Sequence, residues 1–230
     1  MPTVLVTGAN RGLGLEFLKQ YSQRGWEVIG TCRDLNSAVE AMGLADVADN
    51  VSLYPLEVTD ADSIEQLAAA LAGRTIDLLL LNAGYMGEQS SRLGELDAAD
   101  FSYSFEVNTV APAMLIQAFR EHVTRSERRQ IIGLSSILGS IAGNSDGGLY
   151  SYRASKAGLN AVLQSAARDL ARDGVTVVAM HPGWVQTDMG GEGATITPAV
   201  SIKGMVEVID GLTEADSGRF LVYDGGELPW

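Results

Sequence analysis

The sequence predicts an α/β protein: a doubly wound, parallel, seven-stranded sheet of the Rossmann type, flanked by helices on both faces. Short runs of apolar and β-branched residues recur along the chain, and stretches with helical spacing lie between them. Strands that alternate with helices form βαβ units, whose crossovers are right-handed. The 230 residues suit one domain, because α/β folds of this length are routinely single units.

The individual elements follow from the same patterns. The first strand, Thr3–Thr7, is apolar and β-branched and is closed by Gly8, which is typical of a buried parallel strand. The predicted strands are 3–7, 26–31, 51–56, 76–81, 130–134, 175–180 and 220–223. The predicted helices are 12–24, 36–42, 60–72, 97–125 with a break near Asn108, 150–172 and 198–212. The glycine-containing stretch 187–197 follows a strand's carboxyl end, where lids over ligand crevices are found.

Composition and charge exclude several classes of function. The net charge of −13 argues against nucleic acid, because phosphate binding needs clustered Lys and Arg. The single cysteine, Cys32, excludes an intrachain disulfide, and with only His122 and His181 far apart we expect no metal site. No run approaches ~18 apolar residues, so we expect no membrane span. The chain enters a strand at once without a leader, so the expected location is the cytoplasm.

The stretch 152–156 places a tyrosine and a lysine four residues apart, so Tyr152 and Lys156 lie one above the other on a helix face. A neutral phenol has a pKa near ~10 and is a poor proton donor at neutral pH. A cation close to the phenol lowers that pKa toward the working range of a general acid. The alternative is a solvated lysine beside a half-buried tyrosine, and only the motifs elsewhere favour the chemical interpretation.

A glycine-rich turn follows the first strand and opens the first helix. Residues 7–14 read TGANRGLG, with the glycine spacing GxxxGxG. Such glycines permit a tight turn and a close approach of backbone to phosphate, and the helix N-terminus supplies N–H groups and a positive dipole end. The strand before the turn and the helix after it favour dinucleotide binding over a plain tight turn.

Together these motifs resemble the short-chain dehydrogenase/reductase family. The resemblance covers essentially the whole chain through TGANRGLG at 7–14, LNAG at 81–84, Asn108, a serine pair at 135–136, YRASK at 152–156 and HPGWVQT at 181–187. More narrowly, LSSILGSI at 134–141, WVQTDMGG at 184–191 and YDGGELPW at 223–230 resemble the sniffer-type carbonyl reductases and the C-factor (C-signal) group. The resemblance implies one domain over 1–230, with a dinucleotide-binding N-terminal half and a substrate loop at about 185–200.

The resemblance also implies a catalytic set of four residues: Asn108, Ser136, Tyr152 and Lys156. Tyr152 would donate a proton to the developing alkoxide, while Lys156 would lower the pKa of Tyr152 and bind the nicotinamide ribose. Ser136 would hydrogen-bond the substrate oxygen. Asn108, a poor helix former inside a helical pattern, would kink its helix so that its freed carbonyl holds a water near the lysine.

Two members of this set have a residue of the same type close by in the sequence. Ser135 and Ser136 end the fifth strand and point to opposite faces, so only one can face the crevice, and the resemblance selects Ser136. Tyr150 has an alanine four residues on, so it has no helical lysine partner. The separation between Ser136 and Tyr152 is longer than the commonest family spacing, and we expect the extra residues in a loop at 143–148.

Cofactor contacts are implied along the whole crevice. Small residues at 82–84 end the fourth strand at the topological switch point, where the adenosine half of a cofactor can lie against backbone. The resemblance places Glu57 near the adenine, and gives the main chain at Val185 and the hydroxyl of Thr187 to the nicotinamide carboxamide. His181 is expected only to pack. The predicted cofactor-binding set is Gly8, Asn10, Arg11, Gly12, Leu13, Gly14, Arg33, Glu57, Val58, Asn82, Ala83, Gly84, Tyr152, Lys156, Pro182, Gly183, Val185 and Thr187.

The end of the second strand predicts NADP (NADPH) over NAD. By the family's spacing, the acid that reads the ribose 2′-hydroxyl of NAD falls on Cys32, which cannot accept two hydroxyls as a carboxylate would. Arg33 follows it and Arg11 lies in the glycine turn, and both could meet a 2′-phosphate. Asp34 is the competing ribose reader, which we interpret as a cap of the following helix.

The predicted function is NADPH-dependent reduction of a ketone or aldehyde, with the same residues running alcohol oxidation in reverse. Two alternatives stay open: an NAD-dependent alcohol dehydrogenase, and a nucleotide-binding signalling protein of the C-factor type without essential turnover. The substrate would be a small carbonyl or alcohol whose identity the sequence leaves open. The resemblance allows a homodimer or homotetramer through the helices at 108–125 and 150–172. Candidate pocket walls are Tyr85, Met86, Trp184 and Met189, which are equally candidates for the core or for a lid.

Overall fold

A computed structural model describes residues 1–36, 49–87 and 92–230. Its strands are β1 (Thr3–Thr7), β2 (Glu27–Cys32), β3 (Val51–Pro55), β4 (Leu78–Leu81), β5 (Gln130–Leu134), β6 (Thr176–His181) and β7 (Phe220–Val222). They form one parallel sheet in the order β3-β2-β1-β4-β5-β6-β7. The predicted seven-stranded, doubly wound sheet is therefore confirmed, and every strand ends within two residues of its predicted bounds.

The helices that cover the sheet are α1 (Gly12–Gln23), α2 (Ala61–Ala70), α3 (Ala98–Phe105), α4 (Ala111–Thr124), α5 (Tyr150–Asp169) and α6 (Pro198–Asp210). Predicted helix 150–172 is three residues too long, because the chain leaves α5 through Leu170 into a separate 3-10 turn at Ala171–Asp173. The predicted helix at 36–42 lies, beyond its first residue, outside the described residues.

The predicted break near Asn108 is a single π-helical turn, Glu106–Val110, that joins α3 to α4 without interrupting the helical path. The wider turn brings Asn108 fully inside the protein. Such turns inside α-helices are frequent at functional sites.

The sheet divides the core into two layers. In β1, Val4 and Val6 face a cluster that includes Phe17 of α1 and Met205 of α6, whereas Leu5 faces the opposite cluster under α2, α4 and α5. This alternation is the two-residue period of a strand, and because both faces are covered the strand is apolar throughout. Burial on both faces fixes the strand register, and with it the positions of the loops at the strands' carboxyl ends.

The predicted substrate loop at about 185–200 ends earlier than expected, because α6 begins at Pro198. The loop folds back on itself: Val185 pairs with Ile196, Gln186 N donates to Ile196 O over 2.9 Å, and Trp184 Nε1 donates to Gly190 O over 2.8 Å. The glycine-containing stretch is thus an ordered strap with its own hydrogen bonds. Within the described part of the chain, every helix is too short or too polar to cross a bilayer.

Candidate active site

A cavity of about 410 Å³ runs along the carboxyl ends of the strands, including β1 and β4, between which the strand order reverses. This position is where open α/β sheets bind ligands. Its walls come from the glycine turn, the strand ends and the strap: Gly8, Asn10, Arg11, Gly12, Leu13, Gly14, Cys32, Arg33, Asp34, Leu56, Glu57, Val58, Asn82, Ala83, Gly84, Tyr85, Tyr103, Val107, Leu134, Ser135, Tyr152, Lys156, Pro182, Thr187, Asp188 and Met189.

The glycine turn is held to the end of β4 by one side chain. Asn82 Nδ2 donates to the carbonyl oxygens of Thr7 over 2.8 Å and of Gly8 over 3.0 Å. A Cβ on Gly14 would collide with the Gly8 carbonyl and lie 2.7 Å from Asn82 Nδ2, so only glycine fits. Arg11, the N-cap of α1, makes no capping bond with its side chain. The turn therefore presents close backbone and a helix N-terminus to the cavity, which fits a cofactor's phosphates.

The end of β2 contributes three consecutive residues to the cavity, Cys32, Arg33 and Asp34. The Cys32 thiol donates to the Asp34 carbonyl oxygen over 3.2 Å, and Asp34 Oδ1 accepts from the Asn36 N–H over 2.9 Å, as a helix cap does. Arg33 Nη1 lies 3.9 Å from Glu57 Oε2, and the Arg33 side chain is 70% exposed. This loose, exposed pair is worth little, so the guanidinium can exchange the carboxylate for a phosphate at small cost.

The second arginine of the cavity joins the glycine turn to the strap. Arg11 Nη1 donates to Asp188 Oδ2 over 2.8 Å, and both side chains are largely exposed. Thr187 also packs against the turn, since a Cβ on Gly12 would lie 3.5 Å from its Cγ2. The strap therefore lies across the same wall of the cavity that the glycine turn forms.

Tyr152 and Lys156 lie on one face of α5, as their spacing predicts, and both are buried. Lys156 Nζ lies 5.7 Å from the centre of the Tyr152 ring. The ammonium donates to the Leu134 carbonyl oxygen over 2.8 Å, at the end of β5. A Cβ on Gly84 would lie 3.6 Å from this nitrogen, so the lysine also approaches the end of β4.

The pKa of Tyr152 departs from the sequence-based expectation. Burial raises it to about 12, and a hydrogen bond with the Ser136 side chain opposes this rise. Burial lowers the pKa of Lys156 to about 8. The expected lowering of the phenol pKa by the ammonium is therefore absent here, because desolvation of the phenolate dominates and the ammonium binds a carbonyl instead.

The two serines at the end of β5 have different partners, and Ser135 rather than the predicted Ser136 lines the cavity. The Ser135 hydroxyl is buried and donates to Asn160 Oδ1 over 2.6 Å, toward α5. The Ser136 hydroxyl accepts from the Leu138 N–H over 3.2 Å and bonds the Tyr152 phenol. The structure thus places Ser136, and not Ser135, beside the phenol with its hydroxyl.

Asn108 clamps three segments together with its side chain. Its Oδ1 accepts from Tyr85 N over 2.8 Å, and its Nδ2 donates to Tyr85 O over 2.6 Å and to Ser155 Oγ over 2.9 Å. The Ser155 hydroxyl in turn donates to the Tyr152 carbonyl oxygen over 3.0 Å. The amide is thus committed to structure, so any part of Asn108 in a proton relay would fall to its main-chain carbonyl.

Most of the predicted site residues line the cavity, but some do not. Asn108, Ser136, Gly183 and Val185 are not among its lining residues, and Tyr150 is the first residue of α5. Among the expected walls, Tyr85 and Met189 line the cavity, whereas Met86 and Trp184 do not. Burial lowers the pKa of His181 to about 4, so it packs as a neutral ring.

Several residues of this site were not predicted from the sequence. Tyr103 and Val107 line the cavity, Asp188 binds the Arg11 guanidinium and the Leu134 carbonyl binds the Lys156 ammonium. The spacing of Tyr103 and Val107 is a signal that could have been used, because residues four apart share a helix face. The Leu134 carbonyl carried no signal, since every residue has one.

This chain is similar in sequence and in fold to several known proteins. A family model described as short chain dehydrogenase matches residues 2–195. The C-signal protein of Myxococcus xanthus is 43% identical over 155 residues, covering 67% of this chain and 93% of that protein. The structure of carbonyl reductase Sniffer of D. melanogaster superposes with a TM-score of 0.94 at 34% identity, covering all of both chains. That of an NADPH-bound carbonyl reductase from chicken fatty liver gives 0.93 at 37% identity, covering 100% of this chain and 99% of that one.

Proposed function

Because this chain belongs to the short-chain dehydrogenase family, we propose that it is a carbonyl reductase that uses NADPH to convert a ketone or aldehyde to an alcohol. The single observation that carries the proposal is that the buried Tyr152 and Lys156 both line the cavity, with the buried Ser136 beside the phenol. A protein that only binds nucleotide has no need of a buried phenol bonded to a serine hydroxyl.

In this proposal the chain's own groups handle the proton and the substrate oxygen. Bound NADPH would supply the hydride that adds to the carbonyl carbon. The Tyr152 phenol transfers its proton to the carbonyl oxygen as the C=O π bond breaks, and the Ser136 hydroxyl holds that oxygen. A phenol whose pKa burial raises to about 12 stays protonated at neutral pH, and an alkoxide is a stronger base than the phenolate that remains.

Lys156 has two tasks in this scheme. Its ammonium would bind the nicotinamide ribose and compensate the negative charge left on Tyr152 after proton transfer. Its pKa of about 8 leaves it mostly protonated at neutral pH. The approach of Lys156 to Gly84 places it at the end of β4, beside the part of the cavity assigned to the cofactor.

The preference for NADPH rests on the end of β2. Cys32 replaces the acid that would read the ribose 2′-hydroxyl, and Arg33 is exposed and only loosely paired. The solved carbonyl reductase from chicken fatty liver holds NADPH. A guanidinium suits a phosphate by geometry and charge, and Arg33 is the group that we assign to the 2′-phosphate, with Arg11 assisting.

Turnover of a panel of aldehydes, ketones, quinones and steroids, measured as the loss of NADPH absorbance, tests the proposal. We expect reduction of at least one class, faster with NADPH than with NADH at subsaturating cofactor. The Tyr152→Phe variant serves as the matched blank. Wild-type rates no higher than those of a reaction without protein, on every substrate, would refute the proposed enzyme.

Two other functions each have one observation in their favour. Asp34 lines the cavity, which favours an NAD-dependent alcohol dehydrogenase, although its carboxylate already accepts a hydrogen bond at the start of a helix. The identity with C-signal favours a signalling protein that binds nucleotide. Tight NADPH binding without turnover of any carbonyl would select the signalling protein, and tighter binding of NAD would select the alcohol dehydrogenase.

A further inference from the structure

An acidic residue outside the predicted site joins two parts of the active site. Asp100, in the first turn of α3, accepts from the Tyr85 hydroxyl at Oδ1 over 2.9 Å and from the Ser151 hydroxyl at Oδ2 over 3.1 Å. Tyr85 is a wall of the cavity, and Ser151 directly precedes Tyr152. One carboxylate therefore holds a substrate wall with one oxygen and the start of the catalytic helix with the other.

The carboxylate sits in a space shaped to receive it. Gly87 has φ +70°, and a Cβ there would lie 2.7 Å from Asp100 Oδ2 and 2.9 Å from Oδ1. Any larger residue at this position would push the carboxylate away. Hydrogen bonds to an ionised carboxylate are stronger than those between neutral groups, so Asp100 can order both hydroxyls.

Tyr85 is fixed at both its main chain and its ring. Asn108 bonds its N–H and its carbonyl, and Asp100 bonds its hydroxyl. The ring also meets the Tyr103 ring edge-on at 4.8 Å, and both rings line the cavity. Removing the bond to Asp100 would leave the main chain in place and release only the ring, which is the part that faces the substrate.

We propose that Asp100 is a positioning residue: it sets the Tyr85 ring as a rigid wall for the carbonyl substrate and sets the start of α5 so that the Tyr152 phenol meets the substrate oxygen. Asp100 touches neither the reacting atoms nor the cofactor-binding residues, and it acts only through the Tyr85 and Ser151 hydroxyls. This proposal rests on the proposed carbonyl reduction and adds to it a residue that determines substrate fit.

The first test compares Asp100→Ala with Asp100→Asn and with a control on the same helix. Asp100→Ala should lower kcat/KM for a bulky ketone by roughly 10-fold to 100-fold, as the loss of charge-assisted bonds predicts, with KM raised and kcat lowered. The dissociation constant for NADPH, measured by fluorescence, should stay unchanged. Asp100→Asn keeps a bonding group at each position and should recover most of the loss.

Asp97→Ala is the matched control. Asp97 is the N-cap of α3 and accepts from the Ala99 N–H over 3.0 Å, so its removal weakens the same helix without touching Tyr85 or Ser151. It should lower the melting temperature and leave KM unchanged. If Asp97→Ala raises KM as much as Asp100→Ala does, the effect is general loosening of α3 and the proposal is wrong.

A combination of variants tests whether Asp100 acts only through its two partners. Tyr85→Phe should reproduce the rise in KM, and Ser151→Ala the fall in kcat. The double variant combines Tyr85→Phe with Ser151→Ala. Adding Asp100→Ala to the double variant should change kcat/KM by no more than about twofold, because both hydroxyls through which Asp100 acts are gone. A further large loss in the triple variant would overturn the proposed route.

The test also separates failure of this proposal from failure of the proposed function. If wild type reduces carbonyls and Asp100→Ala is kinetically identical, only the positioning role is wrong. If wild type reduces none, hydrogen exchange still decides: Asp100→Ala should speed exchange at the amides of 85–87 and 151–153 more than Asp97→Ala does. Equal exchange in the two variants would refute the role of Asp100 independently of any activity.

Discussion

The ammonium of Lys156 lies 5.7 Å from the centre of the Tyr152 ring and donates a hydrogen bond to the Leu134 carbonyl oxygen over 2.8 Å. The two side chains share a buried helix face, yet burial disfavours the charged form of each and so shifts both pKa values. Burial raises the pKa of Tyr152 to about 12 and lowers that of Lys156 to about 8. The phenol therefore stays protonated at neutral pH and can donate its proton. The lysine carries a positive charge that burial destabilises.

Tyr152→Phe should remove most turnover and leave NADPH binding nearly intact. The ring keeps its packing, and only the proton donor is lost, which is worth ~10²–10⁴ in rate. Steady-state kinetics on a ketone, with NADPH titrated by fluorescence, measures both quantities. Tyr150→Phe, at the first position of the same helix, is the control and should have little effect. Near-wild-type turnover in Tyr152→Phe would contradict the assignment of the acid.

Lys156→Ala should damage both cofactor affinity and rate. The ammonium is proposed to bind the ribose and to compensate the charge on Tyr152, so both steps lose a partner. The measurement is kcat at saturating NADPH beside the Michaelis constant for NADPH. If only that constant rises, with kcat unchanged, Lys156 has no effect on the phenol.

Lys156→Met should change stability in the opposite direction to activity. Burial lowers the pKa of Lys156 in the native state to about 8 from its ordinary value of 10.5, so below pH 8 the buried charge destabilises the native state by roughly 3 kcal/mol. Between pH 8 and 10.5 the unfolded chain binds the proton and the native protein does not, so this cost disappears as pH rises. Met carries no charge, so its gain in melting temperature over wild type should be several degrees at pH 7 and smaller at pH 10.

The control for that experiment is the same substitution at an exposed lysine of α6, Lys203→Met. Lys203→Met removes a charge that is exposed and not buried, so it should give no gain in melting temperature at pH 7. A gain from Lys156→Met that is equal at pH 7 and pH 10 would show that packing, and not the buried charge, is responsible.

Arg33→Ala should weaken NADPH binding by about one to two powers of ten and leave NADH almost unchanged. A charge-assisted hydrogen bond contributes roughly 1.5–3 kcal/mol, and NADH lacks the phosphate that would receive it. Cys32→Asp should weaken NADPH binding more and strengthen NADH binding, because a carboxylate there repels the phosphate and accepts hydrogen bonds from the ribose hydroxyls of NADH. Both effects should shrink at high salt, since the Arg33 side chain is 70% exposed.

Fluorescence titration of both cofactors into wild type, Arg33→Ala and Cys32→Asp shows which residue recognises the adenine ribose or its 2′-phosphate. Wild type that prefers NADH, or an Arg33→Ala variant that weakens both cofactors equally, would make Asp34 the ribose reader instead.

The fold and much of the site followed from local patterns in the sequence. Apolar runs between helical stretches predicted the sheet because strands buried on both faces must be apolar, as Val4, Leu5 and Val6 are. The four-residue spacing of Tyr152 and Lys156 predicted a shared face because a helix repeats every 3.6 residues. Such properties depend on neighbours in sequence, so the chain alone determined them.

Only the tertiary structure decided the electrostatics and the connections of the site. The pKa of Tyr152 depends on how much water the surrounding segments exclude, and the position of the ammonium depends on the Leu134 carbonyl across the sheet end. The link from Asp100 to Tyr85 and Ser151 joins residues 15 and 51 positions apart in the chain. Contacts at such separations are set by packing of whole elements, for which the local sequence carries no period or spacing.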